Sequence, residues 1–107
     1  MIENKQLLKE IKEQLQLLPE IIVKDVILFG SHANDVANEF SDYDICVVLK
    51  NDYDWKIRNR IYDTLCEINM KYDILIDIHI ISENEINTSL RGKQPIFENI
   101  LNNGIYA

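Results

Sequence analysis

Leu28-Phe29-Gly30-Ser31, followed after ten intervening residues by Asp42-Tyr43-Asp44, is the stretch around which this chain is organised. It reads as a buried strand, a tight turn opening a short helix, and a second strand with two carboxylates on one face. Side chains alternate across a strand, so Asp42 and Asp44 share a face while Tyr43, Ile45, Val47 and Leu49 point the other way, into the expected core. Two like charges that close repel each other, and without a cation between them one tends to take up a proton. The pair therefore suits gripping a metal ion better than decorating a surface.

Outward from this stretch, Leu7, Leu8, Ile11, Leu15 and Leu18 recur at helical spacing, with Asn4 as the expected cap and Pro19 as the stop. Asp25 introduces Val26-Ile27-Leu28-Phe29, an all-apolar run of the kind found in strands covered on both sides. Gly30 lets the backbone approach a ligand closely, and the free N–H groups of the helix after it suit an anion that the Ser31 hydroxyl could complete. Ser31 reads equally well as a plain helix cap. The second strand spans 41–49. Asp54 caps a further helix whose apolar stripe is Ile57, Ile61, Leu65 and Ile68, with Arg58 and Arg60 on a solvated face.

A third strand over 74–81 places Ile74, Ile76, Ile78 and Ile80 on one face and Leu75, Asp77, His79 and Ile81 on the other. An ionised Asp within such a strand is costly unless paired, which makes Asp77 the third carboxylate expected beside Asp42 and Asp44. Asp73, at the strand entrance, is the alternative, although a turn role suits it better. His79 reads as a partly buried structural histidine, with a role in orienting Asp77 or touching a nucleotide as the alternative, and His32 as an exposed one that could reach a phosphate. Ser82 and Glu85 make a capping box for a helix through Ile86 and Leu90 that Gly92 ends. Pro95 opens a last short helix, Asn102-Asn103-Gly104 ends it, and a brief tail follows. The order of elements predicts one α/β (α+β) domain, residues 1–107, with a small sheet of about three strands.

Composition narrows the function. The chain has 107 residues, of which 47% are hydrophobic, enough for one core and too little for a second. Eleven Lys and Arg against eighteen Asp and Glu give a net charge of −7, which disfavours direct nucleic-acid binding but leaves a metal-carried nucleotide open. Cys46 and Cys66 lie in apolar patterns without paired ligand spacing, so a reduced, cytoplasmic setting is expected. There is no signal-peptide core after Met1 and no apolar run near the ~18 residues of a membrane span.

Three carboxylates on one face beside a phosphate-cradling turn match what two-metal phosphoryl transfer needs: rigid oxygens bridging two ions about 3.5 to 4 Å apart and a third ligand for the ion that activates the attacking oxygen. At these residues the chain resembles the DNA polymerase beta-like nucleotidyltransferases, above all their small single-domain members, the minimal nucleotidyltransferases. The resemblance rests on Gly30-Ser31 and the spaced Asp42-x-Asp44, and covers nearly the whole chain. It implies a polymerase beta palm-like fold with a small mixed sheet. It further implies that Gly30 and Ser31 bind the β- and γ-phosphates of ATP, that Asp42 and Asp44 hold two Mg²⁺ ions, and that Asp77 holds the catalytic one. Many such proteins look like antitoxins that transfer AMP to a HEPN-domain toxin. One departure is visible: Ala33-Asn34-Asp35 stands where relatives carry Ala-Arg-Gly. The cationic contact to the triphosphate is then missing or supplied from elsewhere, with Lys71 a candidate by position. Two rival readings are a non-catalytic module that masks its partner and an enzyme that modifies a small molecule such as an antibiotic. Self-association stays open.

Overall fold

The fold grows from a sheet whose two faces are covered by different helices. The computed structural model describes residues 2–34, 36–38 and 41–107. Helix α1 (Asn4–Gln16) buries Leu7, Leu8, Ile11 and Leu15 of the predicted stripe, while Leu18 lies beyond its end and is partly buried against the same core. Glu3 occupies its N-cap without a side-chain bond, so Asn4 is not the cap. The Asn4 amide instead donates to the carbonyl of His32, 3.3 Å away. The helix also stops three residues short of Pro19, at Gln16.

Strand β1 (Val23–Phe29) starts earlier than expected, and Val26, Ile27 and Leu28 are all buried. It leads into the single turn of α2 (Gly30–Ala33). Strand β2 (Tyr43–Leu49) pairs antiparallel with β1. Helix α3 (Trp55–Tyr72) begins at Asp54, whose Oδ1 accepts from the backbone N–H of Lys56 and Ile57 at 3.1 and 3.0 Å. It ends at Asp73, in the left-handed region at φ 52°, which is the turn role the sequence favoured. As a crossover, α3 allows β3 (Ile76–Ser82) to lie parallel to β2.

The capping box forms as read: Ser82 Oγ accepts from the Glu85 N–H and Glu85 accepts from the Ser82 N–H, each at 3.1 Å. Helix α4 (Glu83–Thr88) is shorter than predicted, and Leu90 lies beyond it, 85% exposed. Helix α5 (Pro95–Asn103) has Pro95 in its first turn, as expected. The tail is a fourth strand, β4 (Ile105–Tyr106), antiparallel to β1. The sheet order is β3-β2-β1-β4, mixed and four-stranded rather than three-stranded.

Side-chain alternation gives each face its own cluster. On the first face Val26, Leu28, Tyr43, Ile45, Val47, Leu49, Ile76 and Ile80 pack under α1 and α3. On the second, Ile27, Cys46, Val48 and Ile81 pack under Phe97 and Ile100 of α5. Among the described residues no helix is long and apolar enough to cross a membrane.

Candidate active site

The carboxylates come together because register carries them there. Asp44 of β2 lies opposite Phe29 of β1 and opposite Asp77 of β3, and Cys46 lies opposite His79. In-register neighbours share a face, so Asp44 and Asp77 stand side by side on the second face. Beyond the reach of α5 that face is open: Asp44 is half-buried and Asp77 exposed. His79 follows on the same face, its Nε2 3.4 Å from Asp77 Oδ2 and its ring edge-on to Phe29, with centroids 5.3 Å apart. It is half-buried, in keeping with the structural reading.

Gly30 closes the site from above. Its φ of +74° is a left-handed conformation that suits glycine, and a Cβ there would overlap Asp44 Oδ2. Turn and carboxylate can therefore be in contact only because the turn residue has no side chain. Ser31 follows at the start of α2, half-buried, and it is not the cap, since Phe29 holds that position. Asn34, where the resemblance implies an arginine, is exposed and donates to the Gly30 carbonyl at 3.0 Å. Asp35 lies outside the described residues. Beside the turn is a hollow of about 260 Å³ between Phe29, Gly30 and Asn34 on one side and Asn99 and Asn103 of α5 on the other. A larger one, about 510 Å³, lies between α1 and β4 and contains none of the carboxylates.

Asp42 behaves differently from its two partners. It precedes β2 rather than belonging to it and is exposed. Among the described residues no group of three His, Cys, Asp or Glu side chains is gathered closely enough to hold a metal ion. The electrostatics nonetheless link all three carboxylates. Burial and then the Asp77 charge raise the Asp44 carboxyl above the usual range, with Asp42 adding to the rise and His79 opposing it. A divalent cation would relieve that repulsion, and the neighbouring carboxylates of Asp44 and Asp77 are the oxygens that would hold it.

Two expectations need correction. His32 is not exposed: it is buried, its ring lies flat on Tyr43 at 3.7 Å, and its Nε2 is 3.0 Å from the Ser41 carbonyl. It staples α2 to the start of β2 and so fixes the Gly30 turn relative to Asp42 and Asp44. Nothing in local spacing signals such a role, because the partners become neighbours only after the strands pair. Lys71 is engaged elsewhere, in an ion pair with Glu10 on the first-face layer of α1 and α3. Arg60 pairs with exposed Glu20, as befits a solvated face.

Comparison with known proteins agrees with this geometry. The family described as Nucleotidyltransferase domain matches residues 5–106. A protein of Methanocaldococcus jannaschii, provisionally named protein adenylyltransferase MJ0141, is 33% identical over 84 residues, covering 78% of this chain and 84% of its own. Among solved structures, a toxin-antitoxin crystallised with AMP-PNP superposes with a TM-score of 0.63 at 17% identity, over 97% of this chain and 72% of the other. A second, the toxin-antitoxin MntA-HpeT carrying two Asp-to-Glu replacements two positions apart, gives 0.59 at 17% identity, over 92% and 69%. At that identity the two structures speak for the fold alone. The family match spans nearly the whole chain, and the open carboxylate pair beneath a side-chain-free turn is what that family's chemistry would need: this chain belongs to the nucleotidyltransferase domain family and is a nucleotidyltransferase.

Proposed function

We propose that this single domain, residues 1–107, transfers AMP from ATP to a protein acceptor, and that the acceptor is a HEPN-type toxin for which the chain is the cytoplasmic antitoxin. The observation that carries the reading is Asp44 standing beside Asp77 under Gly30. Support for the nucleotide and the acceptor comes from the name of the archaeal relative, from the AMP-PNP complex and from the toxin-antitoxin neighbours, one of them altered at a spaced pair of aspartates.

In this reading Gly30 and Ser31 receive the β- and γ-phosphates, and the hollow beside Asn99 and Asn103 leaves room for the rest of the nucleotide. Asp42, Asp44 and Asp77 would hold two Mg²⁺ ions. When bound, these would neutralise phosphate charge and make the acceptor hydroxyl more acidic. That oxygen attacks the α-phosphorus, the bond from the α-phosphorus to the α,β-bridging oxygen breaks, and pyrophosphate leaves. The hydroxyl proton passes to the Asp77 carboxylate, from which His79, 3.4 Å away, can carry it on. Labelled ATP, Mg²⁺ and the partner toxin should give a labelled toxin, and Asp44→Ala should lower the signal by at least a hundredfold. Equal labelling by the variant would sink the catalytic reading.

A second reading has its own motive. Asp42 stands off the strand and the arginine that the resemblance implies is absent at Asn34, so the chain could act by masking its partner without chemistry. Full neutralisation of the toxin by the Asp42→Ala, Asp44→Ala double variant would favour it.

A further inference from the structure

β3 is both an outer strand of the sheet and the strand that carries Asp77. Leu75 accepts from the Tyr43 N–H, so its backbone groups face β2, and by strand alternation so do those of Asp77, His79 and Ile81. The backbone groups of Ile76, Ile78 and Ile80 therefore face outward. Consistent with this, the Ile80 carbonyl accepts from the Tyr53 hydroxyl at 3.1 Å. Among the described residues, the N–H and C=O of Ile78 and the N–H of Ile80 have no partner. Exposed edges are usually blunted by Pro, Lys or a bulge, and β3 carries none of these.

A groove of about 240 Å³ runs along this edge, walled by Arg58 and Tyr62 of α3 and by Tyr53 and Arg91 against Ile78 and Ile80. The two arginines approach from opposite faces. Arg58 comes from the α3 layer, its guanidinium 5.6 Å above the Tyr62 ring, and makes no ion pair among the described residues. Arg91 lies 5.1 Å from the ring of Phe97, on the second face, and uses one nitrogen for Tyr53 and Glu85, leaving other N–H groups free. Arg91 is thereby ion-paired with Glu85 Oε2 at 2.9 Å, which leaves Arg58 as the cation at this rim without an ion pair among the described residues, on a chain of net charge −7.

We infer that the outer edge of β3 is the docking strand for the protein acceptor. An extended acidic segment adds as a fifth strand on Ile78 and sets a carboxylate of its α3-side face against Arg58. This rests on the proposed transfer to protein. A segment residue opposite Asp77 has its side chain on the carboxylate face, with Cβ atoms about 4.5 to 5.5 Å apart. A hydroxyl residue there is delivered to the site. Since β3 advances about 10 Å from Asp77 to Ile80, the acidic residue belongs about three positions from that hydroxyl. Backbone pairing gives affinity and the charges give choice of partner, as in other strand-addition complexes.

The test uses the full chain and fluorescent peptides, read by anisotropy without nucleotide: one with a tyrosine and Glu three positions to either side, the same peptide N-methylated along its backbone, and one with Lys for Glu. The acidic peptide should bind, N-methylation should weaken it at least tenfold, and Arg58→Glu should weaken it likewise while admitting the Lys peptide. No binding of the acidic peptide, equal binding of its N-methylated form, or indifference to Arg58→Glu overturns the inference. AMP-PNP binding is measured on the same samples. Its absence would count against the transfer reaction and leave the peptide result standing, whereas nucleotide binding without peptide docking would sink the docking strand alone.

Discussion

Asp44 is placed where function and stability pull apart. Burial and the neighbouring Asp77 charge raise its carboxyl, so the folded chain holds an ionised group it would rather protonate. A carboxyl raised on folding contributes stability that is fully present below its ordinary value, near 3.8, and is lost as pH rises through the higher folded value. Asp44→Asn removes the charge and keeps the shape. The variant should therefore be more stable than the parent at pH 7, by on the order of 1 kcal/mol after solvent screening, and the gap should close as pH falls towards 3.8. Thermal melts at the two pH values measure this, and a variant that melts at or below the parent at pH 7 contradicts it. The same residue shows what sequence could reveal. Asp77 was expected beside Asp44 because an ionised Asp within an apolar strand is costly unless paired, whereas Asp42, which shares the parity of Asp44, falls just outside β2 because hydrogen bonding begins only at Tyr43. Where a strand starts is decided by its partner.

Among the elements, those with local signals were legible. The Asp54 cap, the Ser82 and Glu85 box, Pro95 in the first turn of α5 and the stripes of α1 and α3 are contacts within one turn or one face of a helix, and the structure has them all. Those defined by distant partners were not. β4 has two residues and no alternation to read, so only its pairing with Ile27 and Leu28 makes it a strand. His32 looked exposed because its position after the turn is polar, yet Tyr43 and the Ser41 carbonyl enclose it. Asn4 had a cap's chemistry but donates across to α2 instead. Because the α3 cap is local, its loss should be local too. Asp54→Ala removes two backbone bonds and should cost about 1 kcal/mol, read as a lower urea midpoint, while nucleotide binding persists since α3 lies on the face away from Asp44. A cost near zero would mean that water caps the helix as well as the carboxylate does.

At the scale of the molecule, the unequal cover of the sheet makes a site possible. α1 and α3 close the first face along its length, while α5 covers only part of the second and leaves the row through Asp44 and Asp77 open. Periodicity predicted the element types but not strand direction, and it is the parallel step from β2 to β3, next to the antiparallel step from β1, that puts Phe29, Asp44 and Asp77 in one line. Cys46 tests how firmly site and core are joined. It lies two residues after Asp44 in the second-face cluster, and burial pushes its thiol up to about 12, whereas Cys66 on α3 is exposed. A thiol reacts as the thiolate and needs access, so a disulfide reagent at pH 8 should modify Cys66 at once and Cys46 only when the sheet opens. Quantified by mass, the first label should appear within the mixing time and the second at a rate that urea accelerates steeply. Adding AMP-PNP with Mg²⁺ should slow the second label in the parent and not in Asp44→Asn, since a ligand held at Asp44 binds only the closed sheet. Prompt double labelling of the native chain would mean that α5 lifts from the second face without unfolding, and the row beneath it would then lack the rigidity that a pair of shared ligands requires.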